Sequence, residues 1–196
     1  MSPKYRIAIF ASGNGSNAEE IIKFFKNHPS IKVDIIVSNN PNAFVLQREK
    51  NHNIPTLVLT RKEFQETVAL RLHALDITHI VLAGFLWLIP SNLLQKFPNR
   101  IINIHPALLP KYGGKGMYGM KIHDSVRSAN ETESGITIHI VDEKYDEGTI
   151  LYQHKCDIEL ADTPQQIADK VHQLEYTWYP RIIEKWISEP ASGKAD

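Results

Sequence analysis

Tyr5-Arg6-Ile7-Ala8-Ile9-Phe10-Ala11-Ser12-Gly13-Asn14-Gly15-Ser16-Asn17-Ala18 is the stretch that decides the fold. Residues 5–11 form a compact, mostly apolar run of strand length. Residues 12–17 are turn formers, two of them glycines. Residues 18–26 carry Ile21, Ile22, Phe24 and Phe25, the pattern of a helix lying on a sheet. The alternation continues with a strand at 31–38, a short helix at 43–51 and a strand at 56–60. Residues 61–75 read as one helix, with Phe64, Val68, Leu72 and Leu75 at helical spacing. Residues 78–83 form a strand whose unbroken apolar run suits burial on both faces. The expectation is an α/β, doubly wound and mostly parallel sheet.

After Gly135 the pattern changes. Residues 136–141 and 149–156 are strand-like with no helix between them, so they are expected to pair antiparallel near the C-terminal edge. The last helix has a clear start: Thr163 as N-cap, Pro164 at the first helical position and Gln166 where a capping box wants it. Ile167, Val171, Leu174 and Trp178 make its apolar stripe. One domain over residues 1–188 is expected, followed by a small polar tail at 189–196.

Composition narrows the function classes. Lys+Arg and Asp+Glu are both 22 among 196 residues, which argues against broad nucleic-acid binding but leaves room for a local phosphate site. One cysteine, Cys156, rules out an intrachain disulfide or a Cys-based metal cluster and reads as a packed or half-exposed thiol. No apolar run reaches membrane-span length, and the start of the chain is too short and polar for a signal peptide. A cytoplasmic protein without membrane partners is expected.

Three segments can carry chemistry. Asn103-Ile104-His105-Pro106-Ala107-Leu108-Leu109-Pro110 reads as a strand end running into a stiff loop. Asn103 and His105 share one face of that strand and Ile104 takes the other. An amide and an imidazole held there suit a reaction centre, although each alone is as readily a loop-satisfying Asn and an ordinary buried His. In residues 12–17, Gly13 and Gly15 allow close approach, and the helix start offers free amides to an anion. Ala18 stands where a third dinucleotide-motif glycine would be and there is no P-loop lysine, so one phosphate fits better than a pyrophosphate. Gly84 and the run Phe85, Leu86, Trp87, Leu88 and Ile89 follow a buried strand at its carboxyl end, where an apolar slot for a flat ring is expected unless these residues are core. Further on, Asp146 gains meaning if it folds back onto His105, since a nearby carboxylate favours a charged imidazole. His172 and Glu175 share a face of the last helix.

In order, these elements resemble the phosphoribosylglycinamide formyltransferases, folate-dependent enzymes of purine synthesis with a Rossmann-like fold. The resemblance spans residues 7–187 and rests on residues 12–17, Ala83-Gly84-Phe85, Asn103-Ile104-His105-Pro106-x-Leu108-Leu109-Pro110 and His139-x-Val141 running to Asp146-x-Gly148. It implies Asn103, His105 and Asp146 as the catalytic trio. It implies Gly13, Asn14, Gly15, Ser16, Asn17, Gly84, Pro106, His172 and Glu175 as the phosphoribosylglycinamide site. Lys62 (or Arg61), residues 85–89, Asn103, Val141 and Glu143 would hold folate. The co-substrate implied is 10-formyltetrahydrofolate, with no metal, small-molecule partners and a monomer or homodimer. Two departures stand out: Trp87, where many members carry Arg, and the long segment 113–123.

The implied chemistry is direct transfer of a formyl group to a primary amine, with Asn103 and protonated His105 donating to the developing oxyanion. Its rivals are a formyltransferase for a sugar-nucleotide amine, a formylfolate hydrolase, a non-catalytic nucleotide- or folate-binding module and a metal hydrolase using His105, His139 and Asp146. Methionyl-tRNA formyltransferase and the hydrolase each carry an extra domain that 196 residues would not hold.

Overall fold

Among the described residues, seven strands form one sheet in the order β3-β2-β1-β4-β5-β6-β7. The computed structural model describes residues 3–48 and 52–189. Strands β1 (Tyr5–Phe10), β2 (Ile31–Ser38), β3 (Thr56–Val58), β4 (His79–Leu82) and β5 (Ile101–His105) run parallel. Strands β6 (Glu133–Ile140) and β7 (Ile150–Asp157) are antiparallel additions beyond β5, as the change of pattern after Gly135 requires. The chain winds outward from β1 to β3, then restarts on the other side at β4. The switch point therefore lies between β1 and β4, and ligands of such sheets collect at the carboxyl ends there.

Alternation along the strands divides the core. Ile7, Ile9, Val81, Ile102 and Ile104 pack on one face with the buried residues of α1 (Ser16–Phe25), α6 (Met120–Ser128) and α7 (Pro164–Ser188). Ala8, Phe10, Ile80, Leu82 and Ile101 pack on the other with α3 (Arg61–Glu66), α4 (Val68–Ala74) and α5 (Ser91–Lys96). Ile104 thus faces away from Asn103 and His105, as strand geometry demands.

The helix expected over 61–75 is two helices. Thr67, with φ −122° and ψ −19°, caps the end of α3 and the start of α4. Its hydroxyl donates to the Glu63 carbonyl at 3.1 Å, a back-bond that competes with helical pairing. Helix α2 covers only Val45–Arg48, and the end expected for it at 51 falls outside the described residues. The tail expected at 189–196 lies outside them too, apart from Glu189.

Candidate active site

The two loops at the switch point are tied together. Ser12 N–H donates to the Gly84 carbonyl at 3.0 Å, and Leu86 N–H donates to Ser12 Oγ at 3.0 Å. Helix α1 begins where residues 12–17 end, with Gly15 as N-cap in the left-handed region, φ 77°. A Cβ at Gly15 would lie 2.4 Å from Val45 Cγ2, so both conformation and space call for glycine. The first amides of α1, those of Ser16 and Asn17 among them, have no intrahelical acceptor and can meet an anion. Asn14 is not free to do so with its side-chain oxygen, which accepts from Arg48 Nη2 at 2.7 Å. Arg48, which the sequence reading missed, ties this turn down: its Nε also donates to the Asn14 carbonyl, and its Nη1 pairs with Glu19 of α1.

Register builds the polar centre. Asn103 on β5 sits opposite His139 on β6, and His105 opposite Thr137. Asn103 Nδ2 is 3.2 Å from His139 Nε2. His139 Nδ1 donates to the Ile140 carbonyl at 2.9 Å, so Nε2 is left as the acceptor for the Asn103 amide. Thr137 anchors the loop that follows β5: its hydroxyl donates to the Ala107 carbonyl at 2.7 Å and accepts from Leu109 N–H at 2.9 Å. Pro106, half-buried, begins that loop.

Asp146 does fold back. Its Oδ2 is 3.5 Å from His105 Nδ1, and its Oδ1 is 3.6 Å from His139 Nε2. Gly148 makes the return possible, because a Cβ there would lie 1.7 Å from the Ile140 carbonyl oxygen. Asp146 Oδ2 also accepts from Gly114 N–H at 2.9 Å, which brings the start of the long segment after Tyr112 into the centre. Burial pushes the Asp146 carboxyl up, but the groups around it, the Gly114 amide among them, outweigh burial and hold it below the usual carboxylate range. For His105 the balance goes the other way. Burial pushes the imidazole down, and the pull of Asp146 and of the Tyr112 carbonyl does not recover it. For a ring only 4% exposed, desolvation thus outweighs one carboxylate, and Asp146 is left beside Nδ1 to orient the imidazole.

A second carboxyl lies against the start of α1. Glu175 on α7 is buried, and its Oε2 accepts from Asn17 Nδ2 at 2.9 Å. Burial raises it to about 7, with the Asn17 bond opposing. His172 Nε2 is 3.9 Å from Glu175 Oε2. Asn17 Oδ1 is buried with no partner among the described residues, an acceptor left for a ligand's N–H or O–H.

The apolar segment divides. Phe85 and Ile89 are core, with Phe85 ringed by Phe10 and Phe64 at 5.2 and 5.3 Å between centroids, so their side chains do not wall a slot. Leu86 is 46% exposed, Trp87 and Leu88 are half-buried, and the space beside Gly84 is open. Arg61, rather than Lys62, lies over the Trp87 ring at 4.8 Å; Lys62 is exposed on α3. Val141 N–H is spent on the Ile101 carbonyl at 2.9 Å, leaving its carbonyl as the group it can offer, and Glu143 is exposed.

An amide, an imidazole and carboxyl groups gathered at the carboxyl ends of a doubly wound sheet mark an α/β enzyme acting on small molecules. The chain matches the formyl transferase family over residues 5–183. The phosphoribosylglycinamide formyltransferase of Bacillus subtilis (strain 168) is 36% identical over 189 residues, 92% of this chain and 93% of that one. The chloroplastic phosphoribosylglycinamide formyltransferase of Arabidopsis thaliana is 36% identical over 200 residues, 97% of this chain and 68% of that one. The crystal structure of phosphoribosylglycinamide formyltransferase from Bacillus halodurans superposes with a TM-score of 0.84 at 36% identity, covering 94% of this chain and 96% of that one. This chain belongs to the formyl transferase family.

Proposed function

We propose that the protein transfers the formyl group of 10-formyltetrahydrofolate to the primary amine of N1-(5-phosphoribosyl)glycinamide, a step of purine biosynthesis. The observation that carries this reading is the convergence of Asn103, His105 and Asp146 at the end of β5, with Glu175 bonded to Asn17 at the start of α1. Asn103 donates one amide hydrogen to His139 and keeps the second for the formyl oxygen as it becomes an oxyanion. The amine nitrogen bonds to the formyl carbon and gives up a proton, which neutral His105 takes at Nδ1 and returns to the folate nitrogen as the formyl–folate bond breaks; the negative charge nearby favours the transient imidazolium. Asp146 orients His105 and supports its charged form. The α1 amides with Ser16 and Asn17 hold the phosphate, Gly13, Gly84 and Pro106 shape the approach, and Glu175 with His172 takes the glycinamide end. Leu86, Trp87, Leu88, the backbone of Phe85 and Ile89, Val141 and Glu143 line the folate slot. Arg61 on Trp87 faces the folate tail, with Lys62 beside it in sequence. Small-molecule substrates and a cytoplasmic setting accompany this reading.

Purified protein, both substrates and absorbance detection of the folate product test it. Turnover is expected; a folded sample that binds both substrates without turnover would point to a binding module instead. Chelator should leave the rate unchanged, and a loss of activity would favour the metal-hydrolase rival.

A further inference from the structure

Tyr112 has no task in the reaction as described, yet its geometry is costly. It is a non-glycine residue in the left-handed region, φ 57°, while the two residues after it are glycines that would bear such a conformation freely. Its hydroxyl donates to Glu131 Oε1 at 2.9 Å, and Lys111 Nζ donates to the same oxygen at 2.8 Å. Glu131 lies in the turn between α6 and β6, so these bonds pin the loop after β5 to a separate part of the fold. The Tyr112 carbonyl is 2.8 Å from His105 Nε2. A carbonyl can only accept, so Nε2 carries a hydrogen whether the ring is neutral or charged. Nδ1, beside Asp146, is then the nitrogen whose proton comes and goes.

We propose that Tyr112 is a positioning residue: Glu131 holds its hydroxyl, the left-handed backbone presents its carbonyl to His105 Nε2, and His105 Nδ1 is thereby reserved for proton transfer at the reacting centre. The consequence for turnover rests on the formyl-transfer reading of His105; the tautomer itself does not. The charged and titratable groups around His105 are Asp146 from the β6–β7 loop, His139 from β6 and His123 from α6. None of them offers Nε2 the acceptor that Tyr112 supplies.

The test combines ring ¹⁵N NMR of histidine-labelled protein with steady-state kinetics on Tyr112→Phe, Glu131→Ala and Glu131→Gln. In the unaltered protein neutral His105 should show a single Nε2–H tautomer. Tyr112→Phe and Glu131→Ala should mix the tautomers, move the His105 titration to lower pH because an acceptor that favours the charged ring is lost, and lower kcat about tenfold with KM little changed. Glu131→Gln keeps an acceptor oxygen and should stay within about twofold of the unaltered protein. A single unchanged tautomer and unchanged kcat in both Tyr112→Phe and Glu131→Ala would overturn the proposal, as would an equal loss in Glu131→Gln. Tautomer mixing in a protein without turnover would retain the positioning role and sink the formyl-transfer reading instead.

Discussion

Glu175 shows how one buried group links stability to the site. Its carboxyl is held near 7 against an ordinary 4.5, so the folded state retains a proton that the unfolded chain has lost at intermediate pH. The sign follows: this group lowers stability progressively as pH rises from about 4.5 to about 7, and the cost stays constant above that. The rise corresponds to about 3 kcal/mol. Glu175→Gln should therefore be more stable than the parent by about that amount at alkaline pH, with the gap closing toward pH 4.5. Urea unfolding across the range checks it, and the same variant should raise KM for the phosphoribosyl substrate. Gly15→Ala tests the α1 turn. Its methyl would overlap Val45 at a positive φ, so a loss of about 2–4 kcal/mol is expected by thermal or urea unfolding. At this scale residue type and spacing indicated Asn103 with His105, and the resemblance added Asp146 and Glu175. They did not indicate Arg48, Tyr112 or the orienting role of His139, whose meaning comes from neighbours distant in sequence.

Helix ends were legible where the signal is local. The box read at Thr163 and Gln166 is present in both directions: Gln166 N–H donates to Thr163 Oγ1 at 3.3 Å, and Thr163 N–H to Gln166 Oε1 at 2.8 Å. Thr163→Ala should cost about 1 kcal/mol, measured by urea unfolding, and leave kcat unchanged because the cap lies far along α7 from Glu175. An equivalent box at Thr60 and Glu63 starts α3, and its Thr-x-x-Glu spacing stands in the sequence. The break at Thr67 was not legible by periodicity, since apolar spacing runs on through it while a single hydroxyl diverts the backbone. The slot was half legible for a similar reason: an apolar run reads alike whether its side chains face a ligand, as Leu86 can, or the core, as Phe85 and Ile89 do.

Across the whole molecule, α7 is the strut that joins Glu175 to the sheet. Tyr179, wholly buried, donates its hydroxyl to the Leu82 carbonyl at the end of β4, at 2.8 Å. Tyr179→Phe should cost about 1–2 kcal/mol in urea unfolding, and a change below a few tenths would show that the bond contributes nothing net. The sequence by itself determined the strand–turn–helix unit at the start, the change to antiparallel strands after Gly135 and the polar pair on β5. Those features depend on neighbours a few residues apart, where period and turn chemistry specify backbone and face. Only the tertiary structure decided that β1 lies beside β4, that His139 stands opposite Asn103 and that Asp146 reaches His105. It also decided that His105 titrates below its usual range, because desolvation depends on everything packed around a group and not on its place in the chain.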